Sequence, residues 1–250
     1  MTEKTFAATL AKGLTVLGCF EAQSGPLTLP ALGVATGFDR ATLRRLVLTL
    51  EAEGFLVRDG RGFRLAPRVL TLGGGYLTGL DVGRRVQPVL RHAADALNLE
   101  VALATLDRGR AVYVDRAAPA SARVTLGLSV GSTLPLLHTA VGRMLLARAG
   151  SGAMETALSA PIPRHTEATV TDATTLREEI VSVGIQEYAV VSGEFEAGAA
   201  GVAVPVGALG DVPFTLSTTA STNRLSDPET LDQVLDVLRQ ASLSIGRIGA

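Results

Sequence analysis

The sequence predicts an α+β protein of two unlike parts. A small, mostly helical N-terminal domain is closed by a β-hairpin, and a larger C-terminal domain packs helices on a largely antiparallel sheet. Three observations predict it. Apolar residues recur at helical spacing over the first 55 positions and give way to two short apolar runs around an Asp-Gly turn. Beyond residue 81, strand-like runs, several joined as hairpins, mix with helical stripes. A chain of 250 residues with 47% hydrophobic content suits two packed domains better than one. The expected division is 1–67, a linker helix over 68–80, and 81–250.

The elements follow in order. Met1–Thr5 reads as a loose arm. Leu10, Leu14, Leu17 and then Phe20 or Glu21 mark an amphipathic helix that Gly25-Pro26 ends. Thr28 is placed to cap a short second helix, with Pro30 in its first turn and Leu32 and Ala35 facing inward. Gly33 weakens that helix by about 1 kcal/mol against Ala. Gly37 supplies a tight turn, and Asp39 is the N-cap of a third helix. There Leu43, Leu46, Val47 and Leu50 form the inward face. Arg45 and Ala41 lie opposite, flanked by Arg40 and Arg44. Phe55–Val57 and Phe63–Leu65 then bracket Asp59-Gly60-Arg61-Gly62 as a hairpin. Its expected buried face is Phe55, Val57, Phe63 and Leu65.

This order is helix, turn, helix, wing. The N-terminal half of the second helix of such a pair is what enters the DNA major groove. A guanidinium grips guanine or phosphate through two parallel hydrogen bonds, and wing arginines lie along the backbone. The expected contacts to double-stranded operator DNA are Arg40, Ala41, Thr42, Arg44, Arg45, Arg58, Arg61 and Arg64. One amphipathic helix with three arginines is more often a solvated face. The complete order of capped helix, turn, arginine-faced helix and wing reverses that balance. Residues 1–70 carry nine basic and six acidic side chains, so the positive charge gathers here although the whole chain is −1.

The stretch ATGFDRATLRRLVLTLEAEGFLVRDGRGFRLAPRVLTLG resembles the winged helix-turn-helix of the IclR family of bacterial transcriptional regulators. It is similar to the branch that governs protocatechuate and p-hydroxybenzoate catabolism. The resemblance implies a linker helix after Pro67 that joins two chains through their N-terminal parts, and a GAF-like effector-binding domain beyond it. It therefore implies a homodimer or a dimer of dimers. Val69, Leu70, Leu72, Tyr76, Leu77 and Leu80 make the linker apolar on more than one side. Gly73-Gly74-Gly75 costs it roughly 2–3 kcal/mol, and a break or hinge is expected there.

In the second domain a helix over Val86–Leu97 precedes a hairpin turning at Asp107–Arg110. A short strand is expected over Val124–Leu128, a helix over Thr139–Ala149, and a loop at Pro161 and Pro163. A further helix runs from Asp172 and closes at Gly184. Strands follow at Tyr188–Ser192, Gly201–Val206 and Val212–Thr219, and Asp227-Pro228 opens the last helix.

The segment VTLGLSVGSTLPLLHTAVGRMLLARA resembles the family's effector-lining loop and helix start. The residues give independent reasons. Gly127, Gly131 and Gly142 permit close backbone approach to a ligand. His138, Thr139 and Ala140 lead into a helix N-terminus that favours a carboxylate. Leu128, Leu134 and Leu137 supply apolar walls, and Ser217 and Thr219 alternate on one strand face. By composition alone, a glycine-rich connection that merely packs is as good a reading. Thr133 stands where protocatechuate-type members carry an arginine. Ala199, Ala200 and Gly201 replace bulkier residues of the family pattern, which implies a roomier pocket. The expected effector site is Gly127, Leu128, Thr133, Leu134, Leu137, His138, Thr139, Ala140, Gly201, Ser217 and Thr219. The expected ligand is a small metabolite, with an aromatic or other organic acid in view.

Other chemistries find little support. His92 and His165 lie in elements other than that of His138, and no metal-ligand spacing or cofactor motif occurs. His138 is expected to cap the helix or bond within the pocket. No nucleophile elbow or phosphate loop suggests catalysis. The lone Cys19 excludes an intrachain disulfide and sits in an apolar run. With no signal-like opening and no membrane-length apolar run, a cytoplasmic protein is expected. Two alternatives stay open: a DNA-binding scaffold without a ligand, and an enzyme with an attached helix-turn-helix module.

Overall fold

The computed structural model describes residues 6–21, 25–79, 82–121, 129–209 and 212–248. Met1–Tyr76 and Leu77–Ala250 are separate compact units. The arm Met1–Thr5, Leu80 and Asp81, the strand expected over Val124–Leu128, and the candidate residues Gly127 and Leu128 lie outside the described residues.

In the first unit α1 (Ala8–Gly18), α2 (Leu29–Thr36) and α3 (Arg40–Ala52) pack beside a hairpin of β1 (Leu56–Asp59) and β2 (Gly62–Leu65). Local chemistry sets the boundaries. The Thr28 hydroxyl accepts from the Ala31 amide, Gly37 closes α2 at φ 70°, and the Asp39 carboxylate accepts from the Thr42 amide at 2.9 Å. Val16, Phe20, Leu32, Leu43, Leu46, Val47, Leu56 and Phe63 form one core. Leu27 adds a third edge to the hairpin through two hydrogen bonds with Phe63.

Three inward-facing assignments change. Leu10 and Leu14 are exposed, because only the C-terminal part of α1, from Val16, enters the core. Ala35 is exposed beside the buried Leu32. In the hairpin the buried set slips by one residue. Leu56 pairs with Leu65 and Arg58 with Phe63, so Leu56 rather than Val57 shares the inner face, while Phe55 precedes the strand. With a side-chain period of two, a one-residue shift exchanges the faces.

Helix α4 (Arg68–Gly79) runs unbroken through Gly73-Gly74-Gly75, against the expected hinge. Glycine keeps its N–H, so the hydrogen-bond ladder passes; its cost is conformational entropy, which lowers stability without forcing a bend. A π-helical turn, Val82–Val86, leads into α5 (Gln87–Leu97).

The second unit is a six-stranded antiparallel sheet covered on both faces. Its strands are β3 (Val101–Asp107), β4 (Arg110–Ala117), β5 (Thr133–Pro135), β6 (Ala189–Ser192), β7 (Ala199–Leu209) and β8 (Val212–Ser221). They lie in the order β5-β4-β3-β8-β7-β6. Helix α5 and the long α10 (Pro228–Ile248) bury Leu90, Leu97, Leu235 and Leu238 against Leu103, Val202 and Phe214. The opposite face carries α6 (Ala140–Ala149), α7 (Ser151–Ser159) and α8 (Ala173–Gln186), with Leu145, Leu176 and Ile180 at their centre. Gly184 does not close α8; the helix continues to Gln186 and is capped by Glu187 in the left-handed region at φ 59°. The short α9 (Thr222–Leu225) links β8 to α10.

Candidate functional site

The first candidate surface lies on α3. Asp39 anchors its first turn, and the Thr42 hydrogen bonds hold the Asp39 carboxyl below the usual carboxylate range. Leu43, Leu46 and Val47 fix which side is inward. Arg40, Ala41, Arg44 and Arg45 are consequently exposed and Thr42 half-buried. Among the described residues none of these three arginines has an ion-pair or hydrogen-bond partner through its side chain. The wing differs. Arg58 lies 3.6 Å from Glu51 and stacks on Phe63, and Arg64 lies 3.5 Å from Asp59. Arg58 and Arg64 occupy opposite faces of the hairpin, while Arg61 is exposed at its tip. Both pairs are largely solvated, and such pairs hold a side chain weakly enough for a phosphate to displace the carboxylate.

The second candidate is a cavity of about 850 Å³ in the larger unit, between the N-terminus of α6 and the sheet face of β4, β8 and β7. Of the sequence-derived residues, Leu134, His138, Thr139, Ala140, Gly201, Ser217 and Thr219 line it. Thr133 and Leu137 do not: Thr133 accepts a hydrogen bond from Arg110 on the sheet edge, and Leu137 is buried in the core beneath α6. Thr139, not His138, caps α6, accepting from the Gly142 amide at 3.1 Å and donating to the Pro135 carbonyl. Gly142 serves the chain's own packing, since a Cβ there would come within 2.4 Å of the Leu136 backbone. A Cβ on Gly201 would meet that of Ala140 at 3.4 Å, so this glycine does mark where α6 approaches β7.

A buried polar network shapes one wall. Arg143, 4% exposed, donates through Nε to the Leu137 carbonyl and through a terminal nitrogen to Glu194, and it lies 2.9 Å from Glu179. Glu194 also accepts from the Val170 amide, and its carbonyl from Thr169. His138 Nε2 meets the Val170 carbonyl at 3.2 Å, so Nε2 carries the proton. Burial, with lesser contributions from His165 and Arg143, pushes the His138 pKa down against that hydrogen bond. His165 and Phe195 stack edge-on in series beside it.

Sequence reasoning missed Tyr113, Arg143, Glu194 as a structural acid, and Phe195. Tyr113 and Ser217 are buried on the sheet face, and burial, followed by the charge of Glu100, raises the phenol pKa against a hydrogen bond with Ser217. Among the described residues no cluster of His, Cys, Asp and Glu suits a metal, and no helix is long and apolar enough to cross a membrane.

The IclR helix-turn-helix domain model matches residues 9–60, and the model of the C-terminal domain of bacterial IclR transcriptional regulators matches 74–247. The chain belongs to the IclR family. It is 33% identical over 239 residues to the Pca regulon regulatory protein of Pseudomonas putida, covering 95% of this chain and 82% of that protein. It is 30% identical to the p-hydroxybenzoate hydroxylase transcriptional activator of Acinetobacter baylyi, covering 95% and 90%. An IclR transcriptional regulator from Silicibacter sp. superposes with a TM-score of 0.87 at 28% identity, over 97% of this chain and 96% of that one. An IclR homologue from Microbacterium hydrocarbonoxydans, solved with 4-hydroxybenzoate, has a TM-score of 0.79 at 28% identity, over 96% and 98%. The protein is thus an IclR-type, DNA-binding transcriptional regulator, related to regulators of aromatic-acid metabolism.

Proposed function

We propose that this IclR regulator reads its operator with the α3 arginines and adjusts that binding to a small organic molecule, of the aromatic-acid class, held in the cavity of the larger unit. The observation that carries the reading is the exposed set Arg40, Arg44 and Arg45 on the N-terminal half of α3, whose side chains have no partner among the described residues. A free guanidinium needs no internal bond broken before it meets a base edge or phosphate. The cavity favours an effector over a ligand-free scaffold, because its volume lies within the range of small-molecule sites. The relatives are transcriptional regulators, which favours binding over turnover as the activity.

The unit acts as a homodimer or dimer of dimers. One recognition helix contacts few base pairs, and two-fold pairing supplies two half-sites. Leu10 and Leu14 on α1, with Leu70, Leu72 and Tyr76 on α4, are exposed apolar residues that a second copy would cover. The effector acts by binding two dimer arrangements unequally.

Fluorescence anisotropy on promoter DNA at several salt concentrations tests the proposal. Log K should fall steeply with log salt, and a flat line refutes phosphate contact. Arg45→Ala should lose preference for the operator over random DNA by roughly tenfold. Arg61→Ala should weaken both alike. Equal losses on both DNAs for Arg45→Ala would reject the assignment.

A further inference from the structure

We infer that His138 Nδ1 shares a proton with the carboxyl group of the effector, so that each carboxylate that binds brings one proton into the cavity with it. This rests on the ligand-binding reading of the cavity and assigns a residue to the ligand's acid group. His138 is 1% exposed and lines the cavity beside the start of α6. Its Nε2–H is committed to the Val170 carbonyl. Nδ1 is left buried without a partner among the described residues. Gln87, Asp115, Glu179 and Thr215 also hold such an atom, but none of them lines the cavity.

Two donors stand next to it in the chain. Ala140 and Val141 line the same cavity at the first two positions of α6, where an amide has no helical carbonyl one turn back to bond. The cap does not serve them either: the Thr139 hydroxyl takes the Gly142 amide, and the Thr139 carbonyl the Arg143 amide. A carboxylate answers both amides and the positive end of the helix. Its remaining lone pairs would then oppose the bare lone pair of Nδ1. One proton, drawn from solvent, turns that opposition into a hydrogen bond, as a neutral acid on imidazole or a carboxylate on imidazolium. No other bond forms or breaks. Without the anion a charged Nδ1–H would be buried with no acceptor, so the proton is not held. Burial lowers the His138 pKa accordingly, with smaller pushes from His165 and Arg143, against the Val170 bond. The surrounding ionisable groups do not take its place. Arg143 is paired with Glu194 and Glu179, and Glu100 with Arg116, while Glu196 and His165 are exposed. Burial raises the Tyr113 phenol above its ordinary pKa.

Isothermal titration of the full chain with 4-hydroxybenzoate, in phosphate and in Tris at about pH 7.5, counts the protons taken up, because the two buffers differ in heat of ionisation. About one proton should enter per carboxylate bound, and affinity should fall about tenfold from about pH 7 to about pH 8. The amide analogue, 4-hydroxybenzamide, carries its own N–H for Nδ1. It should bind without proton uptake and with an affinity that does not change over that range. His138→Gln keeps an N–H for Val170 and removes the titrating nitrogen, so it should bind the acid without uptake and with a flat pH profile. Binding of the acid without proton uptake, equal uptake with the amide, or uptake that survives in His138→Gln overturns the shared proton and leaves the cavity reading intact. If His138→Gln does not fold, the comparison of acid with amide decides. If neither compound binds while DNA binding persists, the aromatic-acid reading falls and the shared proton with it.

Discussion

Replacing Gly142 and Gly74 by alanine should move stability in opposite directions, although both glycines sit inside helices. At Gly142 an ideal Cβ lies 2.4 Å from the Leu136 Cα and from its carbonyl oxygen. Non-bonded carbons rest at about 3.5–4.0 Å, so the overlap exceeds about 1 Å, and the obstruction is backbone that cannot rotate away. Overpacking of this kind costs about 1–3 kcal/mol or more, and helix propensity returns about 1 kcal/mol at most. The expected net loss for Gly142→Ala is about 2 kcal/mol. The displaced turn also carries Ala140 and Val141, which line the cavity, so ligand affinity should fall with stability. A Cβ added at Gly74 would meet nothing within 4 Å beyond the helix's own backbone, and Gly74→Ala should firm α4 by about 0.5–1 kcal/mol. Urea denaturation of the full chain, with hydrogen exchange to assign each transition, measures both. The α4 amides should exchange up to about fivefold more slowly in Gly74→Ala. A Gly142→Ala protein as stable as the parent would refute the close-approach argument.

Three further outcomes are expected. Arg143→Met should destabilise the larger unit by about 3–5 kcal/mol, because Glu194 is left buried and unpaired; urea midpoints decide it. Asp115 is raised in pKa by burial, against hydrogen bonds from the Arg116 amide and Gln87, and its second oxygen and Gln87 Oε1 are both buried without partners among the described residues. A carboxyl whose folded pKa lies above its unfolded value stabilises below the unfolded pKa and loses that contribution as pH rises through the folded one. Asp115→Asn supplies the missing N–H, so it should raise the melting temperature more at pH 7 than at pH 4; a gain independent of pH would contradict the assignment. Leu70→Glu with Leu72→Glu should weaken self-association in sedimentation equilibrium, and an unchanged association constant would remove α4 from the interface.

Much of the N-terminal unit was legible because short-range chemistry settles it. Thr28, Gly37 and Asp39 each satisfy or terminate a helix end using atoms a few residues away. Leu43, Leu46 and Val47 define a face that no competing element disturbs. Legibility failed where a face depended on partners distant in sequence. Val57 and Leu56 are equally apolar, and only the Leu56–Leu65 register and the edge bond of Leu27 to Phe63 decide which turns inward. Leu10 and Leu14 fit a helical stripe, yet the stripe outlasts the core it was taken to cover. In both places the sequence gives periodicity but not the extent of the surface that receives it.

The cavity shows a different kind of failure. Ser217 and Thr219 were accessible to reasoning because they alternate on one strand. Tyr113 was not, because Ser217, which lines the same cavity, is 104 positions away and comes near it only when β4, β3 and β8 lie side by side. Arg143 looked like an ordinary helix arginine, since nothing adjacent says that Glu194 and Glu179 will converge on it. Its burial follows from Gly142: with no Cβ in the way, α6 settles onto Leu136, and the next residue is drawn beneath the loop, where Nε reaches the Leu137 carbonyl. The glycine that sequence reasoning assigned to ligand approach therefore acts one step earlier. It lets the helix start close on its own loop, and that closure puts Arg143 where it can hold Glu194 and the wall beside His138.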